Sequence, residues 1–556
     1  MQLYAAEPNE MPLRAVYFVP SDAEPLPDRQ ERLGRVMKYV QDFYRKGMFQ
    51  NRFGNKTFAL EWDKPARLKL YTVNGKKRQT EYGRSDAWVV RDEVRDALKS
   101  KYGIDINDEV VVIFQVLLKW ENGKAVELGP YVGSGSPYSG TAWVYDDKRL
   151  DAALLSSTEP GGYYGRPCSI GQFNTHYIGG IAHELGHAFS LPHECENDEE
   201  RKTKGYSLMG GGNHTFGQEL RHQGLGTFLS PASALRLSKV RAFSGDLPGM
   251  RERAYWTFKD LKAVQKDKTK NSFVLSGRVE ASPKLAGIIA YNDNGTIGAD
   301  YDAKTFVGEV SANGTFQVDV KELENVPYQL RLCGVHENGA VSVLSADYAV
   351  KDGIADLSAV NSAVPLDILR KLFRVGNTGE IENIARKYAD DEELQAKCRF
   401  LIRLLNVPKT FDAALLPEDV RRADLSFADF TKAETGWGNF RRAHVPEDVF
   451  IQIGKTFFDS GLYAHAPSVY KIELRGKWTK FDFVYGLQNG YDGPVRFALK
   501  GDGKEWFRSD VVKDHNVHRQ SVNIKDVQTL ELLTESAAEN GNSGAWAVWA
   551  EPVLSR

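Results

Sequence analysis

The sequence predicts a multidomain protein: an N-terminal α/β domain, a small β-sandwich, a helical segment and a C-terminal β-sandwich. Three observations predict it. The 556 residues exceed what one core holds, because domains run to about 100–200 residues. Strand and helix periodicities alternate over the first 245 residues. Beyond residue 272, short β-rich runs with Asn-Gly turns take over, interrupted by one helical stretch. The expected boundaries are 1–245, 246–350, 351–432 and 433–556.

Residues 12–20 read as a first strand. Residues 27–47 read as a helix, with Leu33, Val36, Met37, Val40 and Phe43 at helical spacing. Residues 57–73 look like strand. Residues 86–102 look like a second helix, with Val89, Val90, Val94 and Leu98 on one face. The apolar run over 109–119 suits a buried strand. A Gly/Ser/Pro loop over 132–140 leads into a short strand, 141–145. A helix follows over 174–190. Another covers 230–243, opened by the cap Ser230-Pro231,. Alternating strand and helix imply an α/β sheet. The β-rich runs of 272–350 fit a small sandwich. Over 364–406 Leu394, Cys398, Leu401, Ile402 and Leu405 form one helical stripe. Residues 433–556 return to short strands rich in aromatics and Gly turns.

Composition excludes several classes. Hydrophobic residues are 42% and charged residues 26%, which rules out dominant disorder. A net charge of −2 gives no basic surplus for nucleic acid. The longest apolar run, Val110–Leu118, is nine residues interrupted by Gln115, whereas a membrane span needs about 20. Four cysteines stand far apart with no Cys-x-x-Cys, so no cysteine-rich zinc site is expected. Cys168 and Cys195 bracket one helix and could pair. The N-terminus has no apolar signal region, which fits a cytosolic chain or a mature form whose signal has been removed.

Residues 181–194 read Ile-Ala-His-Glu-Leu-Gly-His-Ala-Phe-Ser-Leu-Pro-His-Glu. His183 and His187 are four apart on a predicted helix, so both imidazoles leave the same face. Two such nitrogens can grip zinc. Glu184 follows the first His directly, where a metallopeptidase keeps its general base. His193 is the preferred third ligand, reached after a turn at Ser190-Leu191-Pro192. Glu219, Glu194, Glu196, Asp198 and His214 are the alternatives.

This motif resembles the metzincin zinc peptidases, marked by HExxHxxGxxH and a downstream Met-turn. Tyr206-Ser207-Leu208-Met209-Gly210 resembles that turn, which implies that Met209 underlies the zinc site. The resemblance covers about residues 10–245 and makes the first domain metzincin-like. It departs at Ser190, where the clan has Gly; Ser held left-handed there would cost about 1 kcal/mol. The resemblance also implies that the strand before the active helix, with Thr141 and Trp143, forms the cleft's upper rim and pairs with the peptide. Tyr163, Tyr164 and Tyr206 are candidate oxyanion donors; Tyr163 and Tyr164 are further candidates for substrate contact.

Residues 436–556 carry Gly436-Trp437-Gly438, Gly461-Leu-Tyr-Ala-His465-Ala-Pro-Ser468, Gly501-Asp-Gly503-Lys-Glu-Trp506 and Ser543-Gly-Ala-Trp546-Ala-Val-Trp549. This order resembles the NPCBM family of carbohydrate-binding modules, β-sandwiches on secreted glycan-active enzymes. Family members often carry an Asp before the final Trp, which this chain lacks. Trp546 and Trp549 are three apart, so on a strand they face opposite ways and at most one belongs to the core.

Together the resemblances imply a secreted, monomeric zinc endopeptidase acting on glycoproteins, in particular a bacterial mucin O-glycopeptidase. Zinc would sit on His183, His187 and His193, and calcium is a further candidate in the C-terminal module. Two other readings stay open: a general metalloprotease tethered to glycans, and a glycan-binding adhesin with a degenerate peptidase fold.

Overall fold

The computed structural model describes residues 12–265, 271–406, 408–446, 448–538 and 541–556. The protein is multidomain and mostly β, with helices between, and divides into two compact units, Met1–Val364 and Pro365–Arg556. No helix among the described residues is long and apolar enough to cross a membrane.

The first unit opens with a five-stranded sheet. Its strands are β1 (Arg14–Val19), β2 (Tyr71–Asn74), β3 (Val110–Gln115), β4 (Val132–Gly135) and β5 (Gly140–Tyr145), in the order β2-β1-β3-β5-β4. The first four in that order run parallel, and β4 closes the edge antiparallel to β5. β3 is buried throughout, as its unbroken apolar run requires. Helices α1 (Arg29–Gln50), α2 (Ala87–Tyr102) and α3 (Ile170–Ala188) complete this part. α1 buries Leu33, Val36, Met37 and Val40, the stripe its spacing gives.

Three sequence expectations change. The strand expected over 57–73 is three short pieces, Trp62–Lys64, Arg67–Leu68 and Tyr71–Asn74. The helix expected over 230–243 breaks into Pro231–Leu237 and Arg241–Ser244. α3 starts four residues earlier than its apolar periodicity indicates, because Ser169 and Gln172 form a reciprocal capping box,.

The loop expected over 132–140 contains the edge strand β4, and its glycines have a packing reason. A Cβ on Gly133 would lie 2.0 Å from the Glu184 carbonyl oxygen, and one on Gly135 2.0 Å from that of Ala188. β4 therefore rests directly on α3.

Two sheets form the rest of this unit. One orders Tyr255–Val264, Phe273–Ser282 and Thr315–Val320; the other orders Lys304–Gly308, Leu285–Asp293, Pro327–His336, Val341–Lys351 and Ile354–Asp356. Tyr255–Val264 lies outside the β-rich window read from the sequence. All four cysteines are free, so Cys168 and Cys195 are not bridged.

The second unit holds helices Thr378–Lys387 and Glu392–Leu405, the latter burying Leu394, Cys398 and Leu401. Two five-stranded sheets follow, one centred on Lys480–Leu487 and Ala547–Ser555, the other on Ser468–Glu473 and Thr529–Ser536. Trp549 is fully buried and its indole N–H donates to Thr534 Oγ1 at 3.1 Å. Trp546 is also buried, just before the strand rather than on it. The strand alternation expected of this pair therefore does not apply, and both pack inward.

Gly135→Ala should destabilise the protein by about 1–3 kcal/mol, the usual cost of overpacking, because the Ala188 backbone cannot yield as a side chain would. Denaturant unfolding of full-length variant and wild type measures this, with Gly103→Ala as control: Gly103 has no neighbour within 4 Å of its would-be Cβ, though its positive φ adds a small strain of its own.

Candidate functional site

Helix α3 carries His183, Glu184 and His187, and the chain returns after it to deliver His193. The turn is sharp. Ser190 adopts φ 66°, and the Leu191 N–H donates to the Gly186 carbonyl at 2.9 Å, an ending typical of helix C-termini. The left-handed conformation thus persists although the residue is Ser. Its carbonyl accepts from Arg236 Nη2 at 2.6 Å, which helps to offset the strain.

The three imidazoles converge. One nitrogen from each lies within 4.8 Å of the others, the one such cluster of three or more potential ligands among the described residues. Each Nδ1 meets a backbone carbonyl: His183 meets Leu208 at 2.7 Å, His187 meets Leu191 at 2.8 Å, and His193 meets Ala299 at 2.7 Å. A carbonyl only accepts, so each Nδ1 carries the proton and each Nε2 is left as a lone-pair donor. His187 Nε2 and His193 Nε2 stand 2.9 Å apart. Two lone pairs that close repel unless a cation lies beside them, so the donor set fits a zinc-like ion. Burial lowers the pKa of His183 to about 3 and of His187 to about 4, and burial lowers that of His193 too. All three are neutral at pH 7, as ligands must be.

Glu184 follows His183 on α3. Burial pushes its carboxyl up to about 7, opposed by a hydrogen bond from the Gly133 backbone. Met209 is fully buried. Its sulfur lies 2.4 Å from where a Cβ on Gly186 would sit, which places it beneath the helix between His183 and His187.

The alternative ligands lie elsewhere. Glu194 is buried and accepts from the hydroxyls of Ser207, Ser230, Ser233 and Thr305. Glu196 accepts from the Ser207 N–H and pairs with Arg201. Asp198 pairs with Lys304, and His214 faces His176, Nδ1 to Nδ1, at 3.1 Å. Glu219 lines a separate cavity with Tyr39, Phe43 and Phe228.

The proposed substrate residues divide. Thr141 and Trp143 are 2% and 1% exposed. β5 is paired on both sides, so neither its side chains nor its backbone is open to a peptide. The edge strand is β4, one strand further out. Tyr164 is exposed and its ring stacks on His176 at 3.7 Å. Tyr163 is half-buried and its hydroxyl donates to the Gly165 carbonyl at 3.2 Å. Tyr206 lies under the Arg201 guanidinium.

Sequence reading missed the loop between Asp293 and Ala303. It supplies the Ala299 carbonyl, 106 positions from His193, and Tyr301, whose ring stacks on His193 at 3.8 Å. No local motif marks either residue. The sandwich read as a spacer therefore reaches the site.

In the second unit Trp437 is 46% exposed and its ring lies 5.0 Å from that of Trp546. Tyr491 stacks on Trp546 at 4.3 Å. His465 is buried beside them.

The NPCBM/NEW2 domain family matches residues 421–555. No curated protein matches the chain. Among solved structures, wild-type OgpA from Akkermansia muciniphila is similar at 23% identity and a TM-score of 0.54, over 63% of this chain and 96% of that one. A catalytically inactive OgpA in complex with an O-glycopeptide substrate, glycodrosocin, is similar at 22% identity and a TM-score of 0.54, over 63% and 95%.

His193→Ala should weaken zinc binding by more than the ~10–100-fold typical of losing an outer-shell partner, whereas Glu219→Ala should leave it unchanged. Metal analysis after dialysis against a graded chelator distinguishes the two. The reverse order would move the third ligand to Glu219. The chain thus shares its fold with OgpA over the matched region and carries an NPCBM/NEW2 domain at its C-terminal end.

Proposed function

We propose that the chain is a secreted zinc endopeptidase of metzincin type that hydrolyses O-glycosylated polypeptides such as mucins. One observation carries the reading: three neutral imidazoles converge through their Nε2 atoms, with the buried carboxyl of Glu184 next to the first of them on α3. A zinc ion held by His183, His187 and His193 would supply Lewis acidity toward water and the scissile carbonyl.

The chain's own groups do the rest. β4 lies at the sheet edge, so an extended peptide can add to it as a further strand and run along α3. Glu184 then takes the proton from the attacking water and passes it to the departing amine. A carboxyl held near neutrality by burial can do both. Met209, in the turn that resembles the Met-turn, floors the site and, with Leu208, fixes His183.

The glycan preference rests on two supports. The fold is shared with a protein that binds an O-glycopeptide substrate, and the C-terminal NPCBM/NEW2 domain exposes Trp437 beside a stacked Trp546–Tyr491 pair, an aromatic face suited to a sugar ring.

Glu184→Ala should keep zinc at full stoichiometry while lowering peptide cleavage by at least ~10²–10⁴-fold. Near-wild-type turnover would remove Glu184 as the base.

The full-length protein should cleave an O-glycosylated peptide faster than the same bare sequence. Most of the preference should survive deletion of residues 433–556, since a tethered module raises only local concentration. Equal rates on both peptides, measured by mass spectrometry of the new N-termini, would leave a general metalloprotease.

A further inference from the structure

The loop between Asp293 and Ala303 brings Tyr301 against the histidine cluster. Its ring lies 3.8 Å from that of His193. It also lies 6.3 Å from His183, nearly parallel at 7°, while His193 and His183 are themselves 5.3 Å apart. A ring on the outer face of His193 would stand much further from His183. Tyr301 instead lies against His193 and near His183.

The loop is fixed on several sides. Ala299 accepts from His193 Nδ1. Asp300 pairs with Arg331 at 2.7 Å. Asp302 accepts from the N–H groups of Thr296 and Ile297 at 2.7 and 2.8 Å. Ala303 accepts from the Cys195 N–H at 2.9 Å. The ring position is therefore built in. Tyr301 is 36% exposed, so it lies partly open to solvent rather than in the core. A phenol is protonated at neutral pH, so the Tyr301 hydroxyl can donate a hydrogen bond.

Of the tyrosines read from the sequence as oxyanion donors, Tyr163 spends its hydroxyl on Gly165, and Tyr206 lies against Arg201. Tyr164 stacks on His176, one to two helical turns before His183.

We propose that Tyr301, supplied by the β-sandwich, donates a hydrogen bond to the scissile carbonyl oxygen as it becomes an oxyanion. This rests on the zinc-peptidase reading above and names a residue of that same site. As water oxygen bonds to the carbonyl carbon, the π pair moves to the carbonyl oxygen and the water proton moves to Glu184. The Tyr301 hydroxyl stays protonated and bonds more strongly to the charged oxygen than to the neutral one. On collapse the C–N bond breaks and Glu184 returns the proton to the amine. A donor of this kind stabilises the transition state selectively.

The test uses full-length, zinc-loaded protein and a synthetic peptide O-glycosylated on a central threonine. Tyr301→Phe keeps the stacked ring and removes only the hydroxyl. Loss of one oxyanion donor lowers kcat by about 10²–10³-fold, so a fall of that order is expected, with KM within about threefold. Zinc stoichiometry should be unchanged. By calorimetry, a phosphinic analogue of the same peptide should bind Tyr301→Phe more weakly by a similar factor. A kcat within threefold of wild type overturns the proposal. So does a raised KM at unchanged kcat, which would make Tyr301 a binding contact, or zinc loss in the Phe variant, which would make it a support of the ligands. Glu184→Ala on the same peptide separates the levels. If that variant cleaves at a near-wild-type rate, Glu184 is not the base, and the mechanism on which the proposal rests fails with it. If it is inactive while Tyr301→Phe is fully active, only the proposal fails.

Discussion

Three hydrogen bonds from imidazole Nδ1 atoms to backbone carbonyls organise the site. Leu191, Leu208 and Ala299 supply those carbonyls, each from a different segment. They fix the tautomer of every histidine and so aim three Nε2 lone pairs at one point. Each demands something of the fold. Leu191 can reach His187 only because the chain turns left-handed at Ser190. Leu208 can reach His183 only because Met209 fits against a helix that has Gly at 186. Ala299 can reach His193 only because the sandwich packs on the peptidase-like part.

That last requirement explains the buried polar network around Glu194. A carboxyl with almost no exposure costs several kcal/mol unless its oxygens are satisfied. Here four hydroxyls satisfy them, three from the peptidase-like part and one, Thr305, from the sandwich. The Cys195–Ala303 hydrogen bond lies next to it. The segment after His193 is thus held to the sandwich close to the histidine cluster. The glycines of β4 serve the same precision from the other side, bringing the rim strand against α3 so that Gly133 can bond the Glu184 carboxyl.

The C-terminal module divides its aromatic residues between core and surface. Trp549 and Trp478 are fully buried and their indole N–H groups are paired. Trp546 is buried too, but its ring supports Tyr491 and the half-exposed Trp437. Trp437 is exposed beside this pair, and Trp506 is exposed elsewhere in the module.

The sequence by itself determined what local periodicity and short spacing encode. His183 and His187 had to share a helix face because they are four apart. α1 and β3 had to bury the stripes their apolar residues draw, α2 buries Val90, Val94 and Leu98 but leaves Val89 exposed, and the alternation of short strands and turns had to build sheets. Only the tertiary structure decided what depends on residues far apart in the chain. Thr141 and Trp143 looked like rim because they precede the active helix, yet pairing on both sides buries β5, and a Gly-rich stretch that reads as loop becomes the true edge. Ala299 and Tyr301 carry no local signal, since a backbone carbonyl has no residue preference and a lone Tyr in a turn-rich loop is ordinary. Their role arises only when more than a hundred intervening residues close the loop against His193, a contact set by packing between domains rather than by any pattern along the chain.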